Sequence, residues 1–302
     1  MPKLVDYEQA FANRMQREGR LRIPFMDADA MHPHRPYSLM NRIEQSYEIE
    51  PHFHSTDQWQ FLAEGDATLG RQKISRYCIH FNRAYTPYGP LKANNNKEAA
   101  YFDLYSRYQP GAFPIVGAEG PQNMAFLKRI TNRKPWQIKR QVTFPSQQGI
   151  QVAKEMRLEA IPDIKDENGL YAYSLVLPSH AKCTAPDPSG GAGQYVVVVN
   201  GSLLSEGKEH KSYVVVFVAP DERPFEICAG AAGLEALILN FPQDRVNRIV
   251  WKCPSCEFVY DEAQHVPTNG TAIGTRWRDR PTSWACPNCA TLKTEFLATE
   301  AV

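Results

Sequence analysis

The chain is 302 residues long, with 34 Lys+Arg against 33 Asp+Glu and a formal net charge of +1. That length holds one large or two medium domains, and a hydrophobic fraction of 43% with 11% aromatics marks a folded chain rather than a disordered one. Charge so near zero argues against a nucleic-acid binder built on a broad basic face, and no run of about eighteen apolar residues offers a membrane span.

The start, MPKLVDYEQAFANRMQREGR, lacks the apolar segment of a secretory signal, so the expected location is the cytoplasm. Residues 6–18 predict a helix, with Tyr7, Phe11 and Met15 at four-residue spacing and Gly19 as its stop. His32 and His34 follow in ADAMHPHRPYS, where Pro33 and Pro36 break strand pairing and speak against metal ligation. From about residue 45 the texture changes to short runs of period two: SYEIEPHFH, QWQFLAEG, KISRYCIHF, YFDLYSRY, LYAYSLVL, QYVVVVNGSLL, SYVVVFVA and LEALILNF. Turn residues between them predict an antiparallel sandwich or barrel rather than alternating strand–helix units. Two strand-rich blocks emerge, roughly 40–125 and 140–242, separated by GAFPIVGAEGPQN and the helix-compatible MAFLKRITNRK.

His52-Phe53-His54 lies on a predicted strand, whose alternation points both imidazoles to one face. With Gln58 close by, they form half of a non-haem metal site, and His80 on a neighbouring strand is an alternative third ligand. Tyr85 and Tyr88, in AYTPYGP, are expected in the core or at a barrel rim, and His180, His210 and His265 in solvated loops.

Seven cysteines are divided between three lone residues, Cys78, Cys183 and Cys228, and two Cys-x-x-Cys pairs, Cys253/Cys256 and Cys286/Cys289. The lone three are expected to behave as small hydrophobes. Four closely paired thiolates suit one tetrahedral iron or zinc, between which spacing does not choose. The loop-rich segment around them, about 247–302, is read as having few apolar residues of its own and is expected to need its metal to fold.

That segment resembles the rubredoxin family. The resemblance is carried by Cys253-Pro254-Ser255-Cys256, Val259-Tyr260-Asp261, Gly270, Gly274-Thr275, Trp277, Pro281, Trp284, Cys286-Pro287-Asn288-Cys289, Lys293 and Phe296. It implies a mononuclear iron on Cys253, Cys256, Cys286 and Cys289 that carries one electron at a time. Two departures stand out: Glu257 and Ala290 occupy positions where the family has glycine with a left-handed backbone.

His52, His54 and Gly65 resemble the first motif of the cupin family, with Gln58 in place of the expected Glu, so a carboxylate must come from elsewhere or the ligand set is neutral. Pro87-Tyr88-Gly89 echoes the second motif, with Lys92 where a His is expected and Asn96 in place. Gln194 and Gly201 fit the same framework in the second block, which has no His-x-His and should be a metal-free structural barrel. The resemblance implies a mainly β, double-stranded β-helix (bicupin) with a small C-terminal rubredoxin-like metal-binding domain. The expected divisions are 1–40, an N-terminal helix and extended arm; 41–125, the first cupin; 126–246, the second; and 247–302, the rubredoxin-like domain.

The resulting expectation is a cupin-type non-haem metal oxidoreductase or oxygenase, with His52, His54, Gln58 and His80 as its catalytic residues. It would act on a small organic substrate with the fused rubredoxin as one-electron donor. Its cofactors would be Fe on the four cysteines, zinc being open there, and a second Fe or other divalent metal on His52 and His54. The expected partners are the substrate, an NAD(P)H-dependent flavin reductase and a second copy in a homodimer, with neither nucleic acid nor membrane. The alternative is a non-enzymatic small-molecule-binding or electron-transfer adaptor protein with a structural zinc tetrathiolate.

Overall fold

The strand Gln58–Glu64 shows how alternation builds this molecule: Trp59, Phe61 and Ala63 leave one face, Gln58, Gln60 and Leu62 the other. The computed structural model describes residues 2–27, 35–45, 47–94, 97–109, 111–130, 134–148, 154–243, 249–260, 277 and 280–300. Within them Gln58–Glu64 sits in an antiparallel sheet of seven strands. Their order is Gln137–Gln141, Cys78–Asn82, Gln58–Glu64, Ala99–Tyr105, Tyr37–Ile43, Arg20–Met26 and Met15–Arg17. A smaller sheet, Glu48–Ile49, Leu91–Ala93, Asp66–Leu69 and Gln72–Ser75, adds an apolar layer with Leu62, Leu69, Leu91 and Tyr101.

A second antiparallel sheet runs Lys3–Val5, Val215–Val218, Gly191–Ser205, Glu226–Pro242, Tyr171–Leu177 and Arg157–Lys165. Here too alternation sorts the residues. Val196, Val198, Val216 and Ile238 join an all-aliphatic interior, while Tyr195, Val197, Leu237 and Leu239 turn to the first barrel. There they meet Trp59, Phe61, Phe81 and Phe102 in one core, pinned by Trp59 Nε1 donating to the Asn240 carbonyl at 3.1 Å. The first barrel is left with a polar interior and the second with an apolar one.

Gly65, just after strand Gln58–Glu64, and Gly201, within strand Gly191–Ser205, share one backbone conformation. Both have left-handed backbones, φ +76° and +77°, and a Cβ would run into the carbonyls of Glu98 and Gly233 respectively.

Several elements depart from the sequence reading. The helix ends at Ala12, opened by a capping box between Asp6 and Gln9, and Met15–Arg17 is a strand instead. Arg20–Met26, read as part of an extended arm, is a full strand of the first sheet. Edge strands are exchanged, since Lys3–Val5 pairs with Val215–Val218 and Gln137–Gln141 pairs with Cys78–Asn82. Backbone pairing at an open edge needs no sequence contiguity, so short edge strands join whichever barrel lies beside them. His32, His34, Asn96, His265, Asp261, Gly270 and Gly274-Thr275 lie outside the described residues.

The C-terminal unit is a small sheet, Val259–Tyr260, Ile249–Lys252 and Leu297–Glu300, with Trp251, Tyr260, Trp277 and Phe296 buried. Helix Gly120–Arg129 connects it to the first barrel through Phe126 and Leu127. No helix among the described residues is long and apolar enough to cross a membrane.

Candidate functional site

The two Cys-x-x-Cys turns bring Cys253, Cys256, Cys286 and Cys289 together, with all four sulfurs within 4.8 Å of one another. Cys253 Sγ lies 3.5 Å from Cys289 Sγ, and Cys256 Sγ lies 3.6 Å from Cys286 Sγ. One tetrahedral ion with metal–sulfur bonds of about 2.3 Å has sulfur–sulfur edges of about 3.8 Å, so the four thiols fit a single metal. Donors from the Thr291 hydroxyl and amide hold Cys289 down to about 6, while its sulfur neighbours push Cys256 up to about 12, so the cluster favours one thiolate first. Ala290 takes the left-handed conformation at φ +60°, whereas Glu257 does not, so only one of the two glycine replacements strains the backbone.

Exposure across this cluster is one-sided. Cys253 and Cys286 are buried and Cys289 is exposed. The buried side continues through Trp251, whose ring stacks on Trp277 at 4.7 Å and on Phe126 at 5.6 Å. Phe126 in turn lies 5.9 Å from Phe113 and 6.2 Å from Phe53. Phe53 is the residue between His52 and His54, fully buried, and alternation directs it away from the imidazoles.

In the first barrel, His52 and Tyr88 exchange both backbone hydrogen bonds, at 3.0 and 2.9 Å. This places the Tyr88 hydroxyl between the imidazoles, 2.9 Å from His52 Nε2 and 3.1 Å from His54 Nε2. The Glu50 carbonyl can only accept, so His52 Nδ1, 2.7 Å away, carries the ring proton and leaves Nε2 as an acceptor. The Tyr88 hydroxyl proton therefore faces two acceptors, His52 Nε2 and Gln58 Oε1. On the other side, Gln109 is oriented by Gly111 and donates to His54 Nδ1, which puts the His54 proton on Nε2. Metal capture through His54 Nε2 thus demands the other tautomer, with the proton on Nδ1 and the Gln109 amide turned so that its oxygen accepts it. Burial holds both imidazoles below the usual histidine range, and they are neutral.

A buried carboxylate, Asp103, lies in the same polar interior without joining the imidazoles in a ligand set. It accepts from Gln58 and Gln60 at 2.8 Å each through Oδ1 and from Asn41 at 2.8 Å through Oδ2. Burial pushes its pKa up to about 6 against these donors. Sequence reading passed over it because YFDLYSRY shows a lone acid in an apolar run. Only the cross-strand register, Asp103 beside Gln60, brings it to the interior.

His80 is bonded elsewhere. Gln60 spends its amide nitrogen on Asp103, so its oxygen accepts from His80 Nδ1 at 2.9 Å, while Nε2 faces Gln137 at 3.1 Å. It stands behind Gln60 rather than beside His52 and His54. Lys92 points outward, and His210, expected in solvent, is buried 3.5 Å from Asp6 on an edge strand. Cys78 is buried with its thiol pushed up to about 11, as an inert small hydrophobe; Cys183 and Cys228 are half-buried.

A cavity of about 410 Å³ opens over this site, lined by His52, His54, Gln60, Tyr88 and Asp103 among others. That volume suits a small organic molecule. Among the described residues, the four cysteines are the group whose ligand atoms already converge as a metal set; His52 and His54 supply two donors around Tyr88.

The rubredoxin family model matches residues 250–296. Rubredoxin-2 of Pseudomonas aeruginosa is 48% identical over 46 residues, covering 15% of this chain and 84% of that one. Among solved structures, the bacterial pirin YhhW from Escherichia coli in complex with nickel(II) matches with a TM-score of 0.54 at 11% identity, covering 80% of this chain and 100% of that one. The 11S globulin from Wrightia tinctoria matches at 0.53 and 10% identity, covering 80% and 83%. These likenesses show the bicupin fold. Through its four-cysteine domain the chain belongs to the rubredoxin family, here joined to a pirin-like double cupin.

Proposed function

We propose that this chain is an oxidoreductase in which a metal in the first barrel acts on a small organic substrate while iron at the tetrathiolate serves as one-electron donor. The carrying observation is the continuous aromatic packing from Trp251, two residues before Cys253, through Phe126 to Phe53, the residue between the two histidines. A fused electron carrier docked against this strand has an evident use in redox chemistry and none in storage.

Iron on four thiolates supplies single electrons, and a metal on His52 and His54 supplies a Lewis acid with open coordination positions. His52 and His54 present neutral imidazoles, with His52 held by the Glu50 carbonyl and His54 by Gln109. Tyr88 offers a phenol between them, and Asp103 orients the Gln58 and Gln60 amides behind it. Phe53, Phe113 and Phe126 exclude water from the space between the two sites. Cys289 faces solvent, where an NAD(P)H-dependent flavin reductase would deliver electrons. The nickel(II) held by the bacterial pirin of the same fold supports a metal in this barrel.

A second reading has a specific observation behind it, namely that the Tyr88 hydroxyl already bonds both imidazoles. In that reading the barrel binds a ligand without redox chemistry and the tetrathiolate holds zinc. Metal content and the visible spectrum of protein expressed with iron separate the two: a ferric tetrathiolate is red and a zinc one colourless. Red protein with two metals per chain supports the oxidoreductase; colourless protein with one zinc supports the binding protein.

A further inference from the structure

Strand Arg20–Met26 carries Arg20 and Arg22 at alternate positions, so both side chains leave the same face, and both line the cavity with His52 and His54. Both are half-buried. The pair thus brings two guanidinium groups into a partly dry space. Among the described residues neither is ion-paired with a carboxylate. Arg22 Nη2 donates to the Tyr37 hydroxyl at 2.7 Å, and Arg20 Nε is buried without any hydrogen-bond partner.

The acids nearby answer this charge only through space, since both guanidiniums draw the Asp103 pKa down without forming an ion pair with it. Asp103 already accepts from three amides, and Glu18, Glu48 and Glu50 line the cavity as exposed side chains. Open donors on a cation call for an anion with planar, two-oxygen geometry. The exposed acids around it oppose a dianion such as a phosphate ester and favour a single negative charge. Much of the remaining wall is aromatic, formed by Tyr37, Tyr47, Tyr88, Tyr101 and Tyr105.

We infer that the first barrel binds aromatic monocarboxylates, with the carboxylate on Arg20 and Arg22 and the ring among the tyrosines. Its other edge is then turned towards His52 and His54. The inference deepens the oxidoreductase reading by naming its substrate class, yet binding itself is measurable without that chemistry.

The test is calorimetric titration of the intact, oxidised protein with benzoate and phenylacetate, each against its neutral amide. The acids should bind and the amides should bind roughly tenfold more weakly or worse, since only the acids make charge-assisted bonds. Arg20→Gln and Arg22→Gln should each weaken acid binding by roughly tenfold and leave the amides unchanged. Equal affinity of acid and amide in the wild-type protein, or no binding of either acid at millimolar concentration, overturns the inference whether or not the variants fold. No electrons move in this titration. Acid binding without any histidine-dependent redox turnover would keep the inference and remove the oxidoreductase reading, and the converse result would do the reverse.

Discussion

The ring of Phe126 lies 5.6 Å from that of Trp251, with 30° between their planes. Phe126 belongs to the helix leading out of the first barrel, and Trp251 to the strand leading into Cys253. This contact is the hinge of the functional reading, because it joins the hydrophobic interior of the four-cysteine unit to Phe53 and the histidine strand. Phe126→Ala removes a half-buried ring, and about 2 kcal/mol of docking energy should go with it. The expected result is an intact tetrathiolate spectrum with faster hydrogen exchange at Trp251 and slower reoxidation of the reduced chromophore. Unchanged exchange would show that the unit is held in place by other contacts.

The four-cysteine unit shares one apolar cluster with Phe53 and Phe113, but the two main cores of the barrels lie outside it, so losing the metal should unfold the unit and leave the barrels folded. Cys286→Ser should empty the site and broaden the signals of Trp277 and Trp284, while the barrels keep a cooperative thermal transition. Loss of all cooperativity would mean that the double barrel depends on the C-terminal unit for its stability.

The convergence of the four cysteines, and of the His52 and His54 imidazoles on one point, was legible because it is local: Cys-x-x-Cys sets two thiols on one turn, and His-x-His sets two imidazoles on one face. Other parts of the site were not local. Asp103 reaches the interior only because Ala99–Tyr105 pairs with Gln58–Glu64 in a register that no stretch of YFDLYSRY announces. Tyr88 reaches the histidines through a two-bond backbone bridge to a residue far earlier in the chain. His80 misled for the opposite reason, since its neighbouring strand is right but Gln60 intervenes. The exchange of Lys3–Val5 and Gln137–Gln141 between barrels depends on which edges are left open, which is a property of the assembled sheets.

The histidine pair should hold one metal of its own. Wild-type protein should carry two metals per chain, and the double variant His52→Ala/His54→Ala should lose one of them while keeping its visible spectrum. Elemental analysis of both proteins checks this. One metal per chain in the wild-type protein would remove the barrel centre.

His80 gives the barrel a distinct acid sensitivity. Burial, with Lys139 adding to it, holds its pKa at about 3 against an ordinary value of 6.5, so the folded protein binds fewer protons than the unfolded chain between those limits. Its contribution is therefore complete above pH 6.5 and falls away as the pH drops towards 3, by up to about 1.4 kcal/mol per pH unit. His80→Gln keeps a polar side chain but removes the titration. Its urea stability should lie nearer to wild type at pH 4.5 than at pH 7.5, a shallower acid limb by up to about one proton. Parallel curves would place the protonation elsewhere.

Electron delivery from the tetrathiolate to the histidine site is tested most directly by a single turnover. The chromophore is reduced without oxygen, then mixed with oxygen and an aromatic carboxylate, and the return of its colour is timed in the wild-type protein and in His52→Ala/His54→Ala. The account predicts reoxidation that quickens with substrate in the wild type and slows by at least roughly tenfold, a barrier rise of about 1.4 kcal/mol, in the double variant. Reoxidation at the same rate in both proteins would contradict it.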